Sequence, residues 1–445
     1  MLKKISTIFT KGKTDSLRNR LIRGAVGSFG LKIAGTGLTL VVSILLARLL
    51  GTEGFGVYAY AISWSSLLSI PATLGLDKLI IREVAIYRNQ SNWGLMRGLL
   101  DWSNQLVLLF SINLALIATG VAWSLNINTN SQMLLAFYVA LVYLPIGSLR
   151  SLRLAAMKGL HQVVLGQVPE VLIAPLLMIC FTGCGYLFLG KELNAIWVIA
   201  IFVASTTITF FIGARLLQKV LPLALEEAEA EYQTLTWIHS ALPLMFLSGM
   251  QIINTRTDTL MLGAMKGPEA VGIYIVINRG VQLIVFMQGA VNGILAPTIA
   301  SLYAEGKIKQ LQKIVTKSAR VVLLTSLIFA SSLTVFGYWF LLLFGLNFTQ
   351  GQTALTILSI GQLINAASGA VGLLLTMTGH QNYTVLSVGI SAILNVLLNV
   401  LLIPEWGVNG AALATASSMI FWNVFSLIWV RTKLGIDSTA LGNIK

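Results

Sequence analysis

Residues 49–83 read LLGTEGFGVYAYAISWSSLLSIPATLGLDKLIIRE. Gly51, Thr52, Glu53 and Gly54 form a short polar break between two long apolar runs. The second run ends in a charged cluster of Asp77, Lys78, Arg82 and Glu83. The break returns later in the chain. GTEGFGVY at 51–58 aligns with GPEAVGIY at 267–274, matching Gly51 with Gly267, Glu53 with Glu269, Gly56 with Gly272 and Tyr58 with Tyr274. An offset of this kind is the signature of an internal repeat, and the rest of the chain is read around it.

The composition excludes a soluble domain. Hydrophobic residues make up 56% and charged residues 10% of the 445, whereas about a quarter of a soluble domain is charged. Lipid must solvate most of the surface. The apolar runs are continuous rather than alternating, so the spanning element is the helix and not the barrel strand. Apolar segments fall at about 24–50, 55–76, 98–122, 131–150, 164–189, 193–216, 238–264, 270–298, 318–343, 351–378, 383–403 and 408–430. Pro145, Pro169 and Pro175 interrupt the fourth and fifth, as kinks that neighbouring helices satisfy.

The expected fold is therefore an all-α membrane protein of about twelve transmembrane helices. The net charge of +14 is sorted by side of the membrane rather than read as nucleic-acid binding. With both termini in the cytoplasm, about 24 cations fall in inner segments. Three, Arg48, Lys191 and Lys266, fall in outer ones, in keeping with the positive-inside rule. The basic stretch 1–23 opens an uncleaved first span, because the apolar run behind it reaches Leu50 with no small-residue cleavage site. Lys11, Gly12, Lys13 and Thr14 lack the earlier glycine of a phosphate loop.

Residues 218–237 are the longest non-apolar stretch and hold Glu226, Glu227, Glu229 and Glu231. They are read as an acidic helical linker in the cytoplasm. It divides a six-helix lobe at 24–217 from another at 238–431, and 432–445 form a cytoplasmic tail. Six is an even number, so the repeated halves run parallel, related by an axis along the membrane normal.

Nothing points to catalysis. No nucleophile–histidine–acid set or metal-ligand cluster is recognisable. His161, His239 and His380 stand alone, and Cys180 and Cys184 are read as packing residues on one helix face. The informative groups are ionisable residues inside helices, which are expensive there and face bundle interiors or aqueous cavities. They are Lys32, Glu170, Arg256, Asp258 and Arg279.

Arg256 and Arg279 sit on adjacent antiparallel helices, roughly 12–14 Å deep at 1.5 Å per residue. Asp258 points to a different face from Arg256, and an ion pair with Arg279 across the hairpin is open to it. The repeat places Leu40, Val42 and Ser63 at the equivalent first-half positions, so the repeated fold does not itself demand these charges. Guanidinium groups match phosphate oxygens bidentately, which favours an anionic ligand. Asn254, Gln282, Gln288, Asn292, Asn365, Asn395 and Asn399 add polar groups for interhelical bonds or sugar hydroxyls.

LARLLGTEGFGVYAYA and LGLDKLIIREVA resemble the first hairpin of polysaccharide (O-antigen, Wzx-type) flippases. RTDTLMLGAMKGPEAVGIYIVINR resembles their helix 7–8 hairpin, and PEWGVNGAALATASS their turn into the last helix. These proteins belong to the multidrug/oligosaccharidyl-lipid/polysaccharide exporter superfamily. The resemblance implies a V-shaped exporter fold with two six-helix lobes. It implies a flippase in the bacterial plasma membrane that moves an undecaprenyl-pyrophosphate-linked oligosaccharide by alternating access. It further implies a cationic cavity to which Arg256, Arg279 and Lys32 contribute. Coupling to a proton or sodium gradient falls to the available acids, Asp258 and Glu170, without an organic cofactor. Membrane lipid and other polysaccharide-assembly proteins are the implied partners. The few cations within the spans depart from the family pattern, and fourteen-helix lipid-II flippases are longer. Two alternatives stand beside this reading. One is a cation-coupled multidrug antiporter, which needs acids in its cavity. The other is a membrane glycan polymerase or ligase, which needs a large outer catalytic loop.

Overall fold

A computed structural model of the chain describes residues 17–124 and 131–442. Most of the basic N-terminus, with Lys3, Lys4, Lys11 and Lys13, lies outside the described residues, as does Lys445. Among those described there is no strand. The helices are α1 (Leu17–Thr73), α2 (Leu76–Gln90), α3 (Trp93–Ser124), α4 (Ser131–Leu141), α5 (Tyr143–Gly159), α6 (Val163–Val168), α7 (Ala174–Leu189) and α8 (Ala195–Val220). They continue with α9 (Leu223–Glu227), α10 (Thr234–Lys266), α11 (Pro268–Ala304), α12 (Ile308–Val335), α13 (Gly337–Leu342), α14 (Gln352–Ser368), α15 (Val371–Met377) and α16 (Gln381–Leu434). A π-helical turn, Pro169–Ile173, joins α6 to α7.

By length and apolarity, eight of the helical segments in the described residues can cross a membrane, or nine if α14 and α15 form one bent span. The sequence reading of about twelve differs for identifiable reasons. Two of the eight segments are double: α1 breaks at Gly51 and α16 at Gly407. The 33-residue α10, expected as the seventh span, is long enough but is not among the apolar set. It carries Arg256, Asp258 and Lys266.

The repeat is written in the backbone. Gly51 has φ 69° and ψ −173°, and Gly267 has φ 83° and ψ −178°. Positive φ with extended ψ is open to glycine and closed to other residues. Each turn starts a new helix with a glutamate, Glu53 or Glu269, near its N-terminus, where the helix dipole favours a negative charge.

The two turns cross each other. A Cβ on Gly56 would lie 1.7 Å from the Pro268 carbonyl oxygen, and one on Gly272 would lie 2.2 Å from that of Thr52. The backbones touch only because both positions are glycine. Around them Phe55, Val271, Tyr274, Phe344 and Phe348 form one buried apolar cluster drawn from both halves. Arg48 seals the edge, donating from Nε to the Leu343 carbonyl at 2.7 Å and from Nη2 to that of Leu342 at 3.0 Å. These carbonyls lie at the C-terminal end of α13, where helices leave acceptors unpaired.

At the opposite, basic end, the segments read as a helical linker and a tail are docked. The stretch 218–237 is helical only at its α8 end, in α9 and from Thr234 onward. Its middle lies against α3: Glu231 donates its backbone N–H to the Gly94 carbonyl at 3.0 Å. Arg97 caps the carbonyls of Glu226 and Ala228 at 2.8 and 2.9 Å. The tail is bound as well. Ser438 donates to the Ser368 carbonyl at 3.0 Å, Arg320 donates to the Ala440 and Gly442 carbonyls, and Ile436 is buried.

Candidate functional site

Between the crossing and the basic end lies a cavity of about 260 Å³ whose wall includes Tyr58, Arg150, Glu170, Phe202, Arg256 and Arg279. Its positions come from five places in the chain, α8 supplying Phe202. The first-half arm of α1 supplies Tyr58, α5 supplies Arg150, the π turn supplies Glu170, and the α10–α11 hairpin supplies the other two arginines. A second cavity of about 310 Å³ shares Thr39, Glu170 and Arg279 with it and extends along α1 to Lys32 and across to Gln282 on α11.

Arg256 and Arg279 therefore face one space, as the hairpin geometry predicts. Lys32 joins them at the far end, with Nζ 6.0 Å from the Phe286 ring centroid. Among the described residues no carboxylate pairs with Lys32, Arg256 or Arg279. Arg279 donates from Nη1 to Gln282 Oε1 at 3.3 Å, and its buried Nε has no partner.

Asp258 does not pair with Arg279. It is turned into the second half and buried. Its Oδ2 accepts from Tyr274 Oη at 2.8 Å and from Thr415 Oγ1 at 2.5 Å, and its Oδ1 accepts from Asn399 Nδ2 at 2.7 Å. Asn399 also donates to Asn395, four residues earlier on the same helix. This is a carboxylate among neutral donors with no cation, separate from the arginine cavity. Three neutral donors satisfy its oxygens, while the low-dielectric surroundings work against its charged form.

Glu170 is likewise not a free acid. Its Oε2 accepts from Arg150 Nη1 at 2.6 Å, and its Oε1 accepts from Arg153 Nη2. Arg150 Nη2 also donates to Tyr143 Oη at 3.0 Å. Arg150 and Arg153 are two of the roughly 24 cations that the charge count assigns to inner segments, as loop residues. They belong instead to α5, nine and six residues before its end. Arg153 is accommodated because a Cβ on Gly213 would lie 0.8 Å from its Nη1. Two arginines three residues apart lie on one helix face, and a lone acid follows Pro169. That combination was the available signal, masked by a charge pattern that also suits an inner loop.

The other polar residues divide between these places. Asn365 donates to Gln288 Oε1 at 3.2 Å and accepts from Asn423 at 3.0 Å, an interhelical network rather than a ligand wall. Tyr58 meets Phe202 edge to face at 6.2 Å between centroids, giving one side of the cavity an aromatic face, and Tyr143 backs Phe202 in a tilted contact at 5.0 Å.

Comparison with known proteins agrees with this architecture. Residues 21–303 match the family described as polysaccharide biosynthesis protein, and 243–401 match MatE. The probable low-salt glycan biosynthesis flippase of Haloferax volcanii is 23% identical over 402 residues, covering 89% of this chain and 81% of that protein. Probable flippase AglR of the same organism is 24% identical over 417 residues, covering 92% and 83%. Among solved structures, an inward-facing multidrug resistance MATE family transporter of the MOP superfamily superposes with TM-score 0.75. Its identity is 11%, with 92% of this chain and 98% of that one covered. A MOP superfamily transporter from Pyrococcus furiosus gives 0.67 at 12% identity, covering 94% and 95%. With 283 of its 445 residues inside the first family match, this multi-pass membrane chain belongs to the polysaccharide biosynthesis protein family and carries the fold of MOP-superfamily transporters.

Proposed function

We propose that the protein is a flippase for a lipid-linked oligosaccharide in cell-surface glycan biosynthesis, carrying an undecaprenyl-pyrophosphate headgroup across a bacterial plasma membrane. The observation that carries this reading is the sign of the cavity. Arg150, Arg256 and Arg279 face it with Glu170 as the only carboxylate in its wall among the described residues, and that carboxylate is already held by two arginines. A charged headgroup crossing ~30 Å of hydrocarbon needs opposite charge and polar walls while its lipid tail stays in the membrane. The relatives' names support a glycan role.

In this reading the basic end is cytoplasmic and the two halves are lobes that rock about the cavity. The glycine crossing closes the outer side. Asp258 is the coupling group, loaded with a proton or sodium ion by the gradient. The Tyr274 and Thr415 hydroxyls and the Asn399 amide hold it, with Asn395 bonded behind Asn399. Glu170 does not serve as a second coupling acid, because its charge is committed to arginines.

A multidrug antiporter shares the fold, and the likeness to MATE transporters favours it to that extent. It would require acids facing its substrate, and the cavity has the opposite sign. The test is glycan export in cells expressing Arg256→Ala or Arg279→Ala. Each variant is expected to lose export while keeping its level in the membrane. Normal polymer from both variants would overturn the site.

A further inference from the structure

The pairing of Glu170 has a geometry that a merely structural ion pair does not require. Its two oxygens are divided between two arginines of unequal accessibility. The Arg153 side chain is 4% exposed and the Arg150 side chain 26%. Arg153 fills the space beside Gly213 away from the cavity, whereas Arg150 reaches the cavity wall. Glu170 itself belongs to both cavities and lies in the π turn Pro169–Ile173, where the helix departs from its regular register. Such turns occur where a helix does something at its site.

We propose that Glu170 is a built-in stand-in for the substrate's pyrophosphate, exchanged for it at Arg150 when the headgroup enters. This rests on the flippase reading above. In the empty cavity Glu170 neutralises Arg150 and keeps it oriented with Tyr143. A pyrophosphate carries more charge and more acceptor oxygens than one carboxylate, and it suits the guanidinium fork. As it enters, Arg150 passes to the phosphate and joins Arg256 and Arg279. Glu170 retains Arg153, so the pair left behind is neutral and no buried charge is stranded, the event that makes breaking a buried ion pair costly. The exchange also explains selectivity by sign: a neutral or cationic solute has nothing to offer Arg150 in return for the carboxylate. Because the carboxylate sits on the turn between α6 and α7, occupancy of the cavity is reported to that helix.

The test is calorimetric binding of inorganic pyrophosphate to the purified full-length protein. Removing the competitor with Glu170→Gln is expected to tighten binding about tenfold, the least that a close charge pair carries. Arg150→Gln, which leaves the Arg153–Glu170 pair intact, is expected to weaken binding about tenfold with an unchanged melting temperature. This second variant keeps the test open if Glu170→Gln fails to fold. Farnesyl pyrophosphate should gain from Glu170→Gln by the same factor. A gain for the inorganic ion alone marks a free-anion site and overturns the exchange. Unchanged or weaker binding in folded Glu170→Gln, or unchanged binding in Arg150→Gln, also overturns it. Should pyrophosphate binding lack any dependence on Arg256, the underlying flippase site fails instead; dependence on Arg256 without the Glu170 effect removes only the exchange.

Discussion

At the scale of residues, the chain separates two uses of charge inside helices. Arg256 and Arg279 have no carboxylate partner among the described residues, and Asp258 has donors but no cation. Asp258 is buried and the two arginines are half-buried, and ionisable groups inside helices are costly enough to point to function rather than scaffold alone. Asp258→Asn is expected to abolish the dependence of transport on the ion gradient while pyrophosphate binding persists. Parallel binding and gradient-driven uptake assays would check it, and loss of both together would contradict the separation. Gly213 gives a stability prediction. A methyl there meets the Arg153 guanidinium, so Gly213→Ala should cost about 1–3 kcal/mol by overpacking, read as a lower melting temperature. The residues of the α10–α11 hairpin were legible in the sequence because a lone cation in an apolar run has few explanations. Arg150 and Arg153 were not, because they lie near a helix end where basic residues are ordinary. Their burial depends on α5 running on to Gly159 and on the space beside Gly213, neither of which composition reveals.

At the scale of elements, the repeated turn proved more than a topological marker. Its polar break and its glycines were readable, and so was the pairing of Gly51 with Gly267. That the two copies cross each other was not, since a repeat gives equivalence and no contact. The crossing predicts that Gly56→Val or Gly272→Val forces the turns apart. Either variant should lower glycan export more than its membrane level, whereas unimpaired export would show that the contact is dispensable. Cysteines introduced at Thr52 and Glu269, whose side chains are hydrogen-bonded at 3.3 Å, should cross-link with a short reagent and stop transport until released.

The tail makes a pH prediction. Partial burial pushes the Asp437 carboxyl up, but the Thr439 hydroxyl and amide and the Arg431 guanidinium outweigh it and hold it below the ordinary range. A lowered value means that tail docking gains from the ionised form. That gain is present above the ordinary carboxylate value of ~3.9 and fades as pH falls through the lowered one. Protection from hydrogen exchange at 436–442, taken relative to the intrinsic rate at each pH, should fall only in strong acid, and Asp437→Asn should remove that pH dependence.

At the scale of the whole molecule, the fold class followed from composition and the length of the apolar runs, and the family match agrees with it. A cationic cavity was implied by the resemblance, but the places of Arg150 and Glu170 in its wall needed three dimensions, since it draws on α5, the π turn, α10 and α11. What distinguishes a lipid-headgroup carrier from a cation exporter on one fold is the sign of that cavity. The most direct measurement reconstitutes the protein in vesicles with a pyrophosphate-linked oligosaccharide lipid on one leaflet and follows its appearance on the other under an imposed proton or sodium gradient. The wild type should translocate the lipid, and Arg256→Ala should not. A protein that leaves the lipid where it was but moves a cationic drug along the gradient would contradict the account.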